Sequence, residues 1–235
     1  MSRWWEKWFA APGLCPLCGS VHSASVWAGV WDRLCSSCQA GLHLIQPPCC
    51  PLCGRSWPVA SLCGDCLRHR SRDLERNVGV IRYTSFAKEW IRLFKYRGQE
   101  GLAEPLGEMM AEALFASGMR PEAVTYVPLH PDRMRQRGFN QSELLAREVA
   151  HRLHLPLRSV LERTRPTPPQ SRRNRWERMN ALVGAFRLQP FCAETMDKKW
   201  LIVDDVYTTG STLTECAKTL KTAGAKQVCS LTWAR

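Results

Sequence analysis

Leu201-Ile-Val-Asp-Asp-Val-Tyr-Thr-Thr-Gly-Ser-Thr-Leu213 decides the reading of this chain. Its first residues are apolar without alternation, as in a strand buried on both faces of a parallel sheet. Two consecutive acids, Asp204 and Asp205, end that run. Small hydroxyl residues and one glycine follow, and then a helical pattern over about 212–222 with Gly224 as its stop. In open α/β sheets, ligands sit beyond the carboxyl ends of the strands. Backbone N–H groups of residues 209–212 would point at an anion at the helix N-terminus. The hydroxyls of Thr208, Thr209, Ser211 and Thr212 add donors, and Gly210 permits close backbone approach. The two carboxylates suit vicinal sugar hydroxyls. A phosphate site beside a diol site describes a ribose 5-phosphate. An ordinary turn with a Thr212/Glu215 capping box would account for Thr212, but not for two acids at a strand end.

Outward from this segment the pattern repeats. Residues 78–83 (VGVIRY), 124–127, 200–203 and 228–232 read as strands, and 87–96 and 104–116 have helical spacing. Asn140-Gln-Ser-Glu143 resembles a capping box and opens a helix to about Leu153. Strands alternating with helices predict an α/β fold with a parallel sheet covered on both faces.

The N-terminal third reads differently. Of 12 cysteines, nine lie between Cys15 and Cys66. Eight of these form the pairs Cys15/Cys18, Cys35/Cys38, Cys50/Cys53 and Cys63/Cys66, each with a two-residue gap. Such a knuckle turns both sulfurs toward one ion, and two knuckles complete a tetrahedral zinc site. Two structural zinc ions are expected. Consecutive ribbons (15/18/35/38, then 50/53/63/66) are simplest, a crossed pairing fits the spacing as well, and Cys49 could replace Cys50. A disulfide framework conflicts with a reducing compartment, and a redox CxxC does not explain four regular pairs. Four cysteines per ion leave no open position for catalysis, and metal would supply much of this region's folding energy. Cys192, Cys216 and Cys229 stand alone and read as core residues.

Lys and Arg number 33 against 21 Asp and Glu, a net charge of +12 that favours polyanionic partners. The excess concentrates in residues 130–178, where twelve bases, all Arg, face five acids. A solvated helix face explains Arg147 and Arg152. Arg133, Arg135, Arg137, Arg172, Arg173, Arg175 and Arg178 are too dense for that alone and suit pyrophosphate or a nucleic-acid backbone. Trp176 among them could stack a base, although a lone Trp beside arginines more often packs. Trp4, Trp5, Trp8 and Phe9 read as a short helix packed on the zinc region. The charge-free stretch 13–31 holds Pro16, Gly19 and His22, unlike a membrane span of roughly 20 apolar residues. Glu6 and Lys7 interrupt any signal-peptide core, so the expected location is the cytoplasm. The absent P-loop pattern argues against a helicase or motor.

The segment VDDVYTTGST, residues 203–212, resembles the 5-phosphoribosyl-1-pyrophosphate (PRPP) binding motif of type I phosphoribosyltransferases. That resemblance implies that Asp204 and Asp205 contact the ribose hydroxyls and carry the catalytic role. Thr208, Thr209, Gly210, Ser211 and Thr212 would hold the 5-phosphate, with Mg²⁺ accompanying PRPP. The CxxC knuckles, Lys95-Tyr-Arg-Gly98, Val127-Pro-Leu-His-Pro131 and Arg137-Gly-Phe-Asn-Gln141 together resemble the ComF family of competence proteins over essentially the whole chain. The family implies a double zinc ribbon, here 1–77, before a type I phosphoribosyltransferase-like domain, here 78–235, and a role in DNA uptake during natural transformation. Expected partners are PRPP, single-stranded DNA and other competence proteins. By position, residues 128–133 would be a pyrophosphate loop supplying His130 and Arg133, and 164–178 a mobile loop over the site. Gln170, Glu177, Arg178 and Gly184-Ala-Phe186 keep the family spacing, whereas Arg173-Asn174 and Ala181 depart from it. Arg135, Arg137, Arg172, Arg173, Arg175 and Trp176 remain the candidate nucleic-acid contacts. Two functions follow: a competence factor that binds PRPP and single-stranded DNA, or an active phosphoribosyltransferase with an unknown acceptor.

Overall fold

The computed structural model describes residues 10–25, 29–68, 73–96, 98–165, 182–190 and 197–235. The cysteine-rich region opens with an antiparallel pair, β1 (Ala10–Leu14) and β2 (Val21–Ser25), joined through the first knuckle. Two short helices, α1 (Ser36–Gly41) and α2 (Gly64–Arg68), each start one residue after a cysteine, Cys35 and Cys63.

Then comes the α/β part: β3 (Arg76–Ile81), α3 (Ser85–Phe94), α4 (Ala103–Ala116), β4 (Ala123–Tyr126), α5 (Pro131–Arg137), α6 (Gln141–Arg152), β5 (Leu161–Arg163), β6 (Phe186–Leu188), β7 (Lys199–Val206), α7 (Ser211–Thr222) and β8 (Gln227–Ala234). Four strands form one parallel sheet in the order β3-β8-β7-β4, as the alternating pattern predicts. β5 and β6 pair antiparallel apart from it. They are three residues each, too short to carry a readable period, and no strand was expected at either place.

The central strand β7 is buried from Trp200 to Asp204, which explains its unbroken apolar run. Its side chains alternate between two cores. Leu201 and Val203 join Ile91, Leu106, Met109, Met110, Leu145 and Val149 from α3, α4 and α6. Trp200 and Ile202 join Leu213, Cys216, Ala217 and Leu220 of α7. The cysteine region divides between these same cores. Cys15, Leu17, Leu34, Cys38 and Leu42 pack in the first, and Cys50, Cys53, Cys63 and Cys66 in the second. Its backbone also borders the sheet: the Ile45 N–H donates to Val80 O, the Arg82 N–H to His43 O, and the Asn77 N–H to Leu52 O. No helix among the described residues is long and apolar enough to cross a membrane.

Candidate functional site

The carboxyl end of β7 holds two acids in contrasting environments. Asp204, 9 % exposed, accepts hydrogen bonds from Ser142 Oγ at 2.7 Å and from the Asp205 N–H at 2.9 Å. Burial, reinforced by the Asp205 charge, pushes its carboxyl up from the usual carboxylate range. Burial acts on Asp205 in the same sense, but Lys95 overrides it. The ammonium stands 2.6 Å from Asp205 Oδ2 and holds the carboxyl below its ordinary value. Lys95 occupies the C-cap of α3, and Ser142 the first turn of α6.

The segment before α6 explains how Ser142 reaches Asp204. Gly138 closes α5 with φ 89°, and Phe139 is buried. Asn140 then caps α6: its Oδ1 accepts from the Ser142 N–H at 3.1 Å while its Nδ2 donates to Val127 O at 3.0 Å. One asparagine thereby ties the loop after β4 to the helix that orients Asp204. The Arg137-Gly-Phe-Asn-Gln141 motif is thus a bracket between two parts of the site. No local sequence pattern assigns Lys95 or Ser142 to the site. Only the fold brings α3 and α6 to the end of β7.

Beyond the acids, the Tyr207 N–H donates to Ala234 O at 2.9 Å. The chain then turns through Thr208, Thr209 and Gly210 into α7. Gly210 has φ 83°, and a Cβ there would collide with the Tyr207 hydroxyl, so both conformation and space demand glycine. Thr209 Oγ1 and Ser211 Oγ are 2.8 Å apart, and the Ser211 N–H points at Thr209 Oγ1 at 3.4 Å. Thr208 is exposed, and Thr209, Ser211 and Thr212 are half-buried. The capping-box alternative does not form. Gly210 is the N-cap, and Glu215 accepts instead from the Gly184 N–H at 3.1 Å.

Basic groups act on both acids, Arg137 beside Lys95 on Asp205 and Arg163 on Asp204. His130 caps α5, its Nδ1 accepting from the Asp132 N–H at 3.3 Å. Arg135 pairs with Asp132, and Arg137 donates to Gln141 Oε1. Lys95, Tyr96, Arg133, Gln136 and Arg137 line a cavity of about 480 Å³. Burial depresses the Arg137 guanidinium while the Asp205 carboxylate opposes that shift. Arg163, absent from the sequence-level candidates, ends β5 with its guanidinium 5.6 Å from the centre of the Phe186 ring. Burial and Arg133 lower its pKa, opposed in part by Asp204. A larger cavity of about 810 Å³, bounded by Arg55, Trp57, Arg82, Tyr83 and Arg235, is lined by neither aspartate. Of the other candidates, Arg172, Arg173, Arg175, Arg178 and Trp176 lie outside the described residues, as do Gln170, Glu177, Cys192, most of the expected mobile loop and the N-terminal tryptophans.

The cysteines converge as two sets, Cys15/Cys18/Cys35/Cys38 and Cys50/Cys53/Cys63/Cys66, with sulfurs within 4.8 Å of one another in each. The Cys18–Cys35 and Cys53–Cys63 sulfur separations are 3.6 and 3.7 Å. Tetrahedral zinc with Zn–S bonds of about 2.3 Å requires edges of roughly 3.8 Å, so both sets fit the ion. The pairing is consecutive, not crossed. Cys49 belongs to neither set and bridges Ser56 through its backbone. The first knuckle of each set turns identically: the Gly19 N–H donates to Cys15 O and the Gly54 N–H to Cys50 O, with both glycines at positive φ. The Ser20 hydroxyl and the Cys38 N–H hold the Cys35 thiol down to about 6, favouring the thiolate that a metal requires.

Comparison with known proteins agrees with this geometry. Residues 8–67 match the double zinc ribbon domain, and residues 140–235 match the phosphoribosyl transferase domain. The chain is 32 % identical over 237 residues to Competence protein ComFC of Bacillus subtilis, covering 94 % of this chain and 95 % of that protein. It is 33 % identical over 224 residues to DNA utilization protein YhgH of Escherichia coli K12, covering 92 % and 94 %. It is 30 % identical over 217 residues to Competence protein F of Haemophilus influenzae, covering 89 % and 91 %. With two four-cysteine clusters ahead of a parallel sheet that ends in an acidic pair, the chain belongs to the ComF family of competence proteins.

Proposed function

We propose that this protein binds Mg²⁺–PRPP at the end of β7 and serves natural transformation by handling single-stranded DNA in the cytoplasm. The observation that carries the ligand is the junction of Asp204 and Asp205 with the Thr208–Thr212 turn, where diol acceptors and anion donors stand side by side. The 5-phosphate would lie at the N-terminus of α7, held by backbone N–H groups and by Thr208, Thr209, Ser211 and Thr212. Asp204 and Asp205 would accept from the ribose hydroxyls. A ribose diol approaching Asp205 competes with Lys95 for the same oxygen, so the ammonium turns toward the pyrophosphate beside Arg133, Arg137 and His130. Carboxylate oxygens are suitable donors to a hard cation, and Mg²⁺ brought with PRPP would neutralise pyrophosphate charge.

The names of the relatives, two competence proteins and a DNA utilization protein, support the DNA role, as does the arginine excess of residues 130–178. A second reading is favoured by the cation-lined cavity beside Asp205. In it the protein transfers ribose 5-phosphate to an acceptor while those cations stabilise departing pyrophosphate.

Thermal denaturation tests the ligand. Mg²⁺–PRPP at a hundred times its Kd is expected to add about 2.7 kcal/mol of stability, and equimolar Mg²⁺–pyrophosphate markedly less. Equal shifts would reduce the site to an anion trap. Pyrophosphate release from PRPP with nucleobases, amines or single-stranded DNA as acceptor decides between the two readings.

A further inference from the structure

Arg235 follows β8, and its side chain crosses Gly79 of the neighbouring β3, where a Cβ would come within 2.6 Å of it. Only glycine leaves room for the Cβ and Cγ of Arg235. Its nitrogens then diverge toward two parts of the molecule. Nε donates to Cys53 O at 3.0 Å, and Nη2 to Cys53 Sγ at 3.0 Å. Nη1 donates to the carbonyl oxygens of Tyr207 and Thr208 at 3.3 and 3.2 Å. The guanidinium carbon stands 4.5 Å from the centre of the Tyr207 ring. Tyr207 is buried, and its hydroxyl end lies against Gly210, the N-cap of α7.

We infer that Arg235 is a positioning residue that couples the Cys50/Cys53/Cys63/Cys66 site to the Tyr207–Gly210 turn. The inference rests on reading that turn as the 5-phosphate site. Zinc held by four thiolates carries net negative charge, and a guanidinium donating to one sulfur offsets it. Metal therefore fixes Cys53, Cys53 fixes the guanidinium fork, and the fork with Tyr207 fixes the carbonyls that open the phosphate turn. A lysine cannot replace the planar fork, because its ammonium presents its donors from one point. The first cysteine set packs in the opposite core, and no hydrogen bond among the described residues links it to residues 207–212. It serves as an internal control.

Linkage makes this testable, since a site that metal steadies for PRPP must hold metal more tightly when PRPP is bound. Chelator-driven zinc release from the full chain is expected in two phases. Saturating Mg²⁺–PRPP slows one phase, by about tenfold on the scale of outer-shell contacts to metal ligands, and leaves the other unchanged. Arg235→Lys is expected to speed that same phase, to abolish its response to PRPP, and to weaken Mg²⁺–PRPP binding in calorimetry about tenfold. The wild-type release curve decides the matter even if the variant misfolds. Calorimetric binding of PRPP with both phases indifferent, or both slowed equally, overturns the coupling and leaves the phosphate-site reading standing. No calorimetric binding to the wild type overturns that reading and the coupling with it.

Discussion

Asp204 and Asp205 are adjacent in sequence, yet their surroundings pull their acidities apart. Asp204 is raised by burial and by the Asp205 charge, whereas Asp205 is depressed by Lys95 at 2.6 Å. A raised acid binds its proton more tightly in the folded chain than in the unfolded one. Its contribution is therefore present at low pH and lost as pH rises from the ordinary carboxylate value, about 4, toward neutrality. Asp205 has the opposite sign, its contribution being lost as pH falls. Asp204→Asn keeps an acceptor for Ser142 and for the Asp205 N–H while removing the repulsion. It is expected to raise the melting temperature of the ligand-free protein near pH 8, by about 2–4 °C per kcal/mol recovered, and to flatten the decline with pH. The same variant should bind PRPP roughly tenfold or more weakly, since a hydrogen bond to a charged group is worth about 1.5–3 kcal/mol. Calorimetry and a pH series of thermal melts check both halves. A variant no more stable than wild type at pH 8 would show that Asp204 is not strained.

At the scale of elements, the strand-turn-helix unit of β7 and α7 was legible because three signals coincide there: an unbroken apolar run, paired acids, and a glycine before a helical period. β3, β4 and β8 were legible as short strands alternating with helical spacing, with ends displaced by one or two residues. The boundary of α7 shows what sequence leaves open. Thr212 and Glu215 have capping-box spacing, but Gly210 in the left-handed region starts the helix earlier and frees Glu215 to reach Gly184. Lys95 and Ser142 were not assignable, because their partners lie 110 and 62 positions away in sequence. Gly210 and Gly118 separate conformation from contact. Gly118 has φ 74° and nothing within 4 Å of a Cβ, whereas Gly210 would meet Tyr207. Gly118→Ala is expected to cost about 1–2 kcal/mol of stability without altering PRPP affinity. Gly210→Ala should abolish measurable PRPP binding at ligand concentrations that saturate the wild type. Denaturant melts and calorimetry on the two variants test this, and retained binding in Gly210→Ala would contradict the close fit of the turn.

At the scale of the whole molecule, the two cysteine sets are built into opposite cores of the sheet. The paired spacing revealed the sets, but their packing depends on contacts across the chain that no local pattern encodes. Elemental analysis of protein purified without chelator is expected to give two zinc ions per chain. Cys35→Ser leaves three thiolates in the first set and should reduce this to one, with a lower melting temperature, because Leu17, Leu34 and Leu42 belong to the same core as Leu106 and Met109. Zinc-free protein of unchanged stability would contradict the metal assignment. The DNA role belongs to this scale as well. Binding of a labelled single strand should weaken with salt at a log–log slope of about −0.7 per phosphate neutralised. Fluorescence anisotropy of an Arg172/Arg173/Arg175 triple alanine variant should show a slope shallower by up to about two units. Trp176→Ala should weaken binding without changing the slope, since stacking releases no counterions. A lack of binding at low salt would leave the transferase reading alone.

Calorimetric titration of Mg²⁺–PRPP into the wild type and into an Asp204→Asn/Asp205→Asn double variant tests the central claim most directly, with circular dichroism verifying that both are folded. The expected result is saturable one-site binding to the wild type and a loss of at least roughly a hundredfold in the variant, two charged hydrogen-bond partners being removed. Equal affinity in the two proteins, or no binding to the zinc-loaded wild type, would contradict the assignment of the β7 end as a PRPP site.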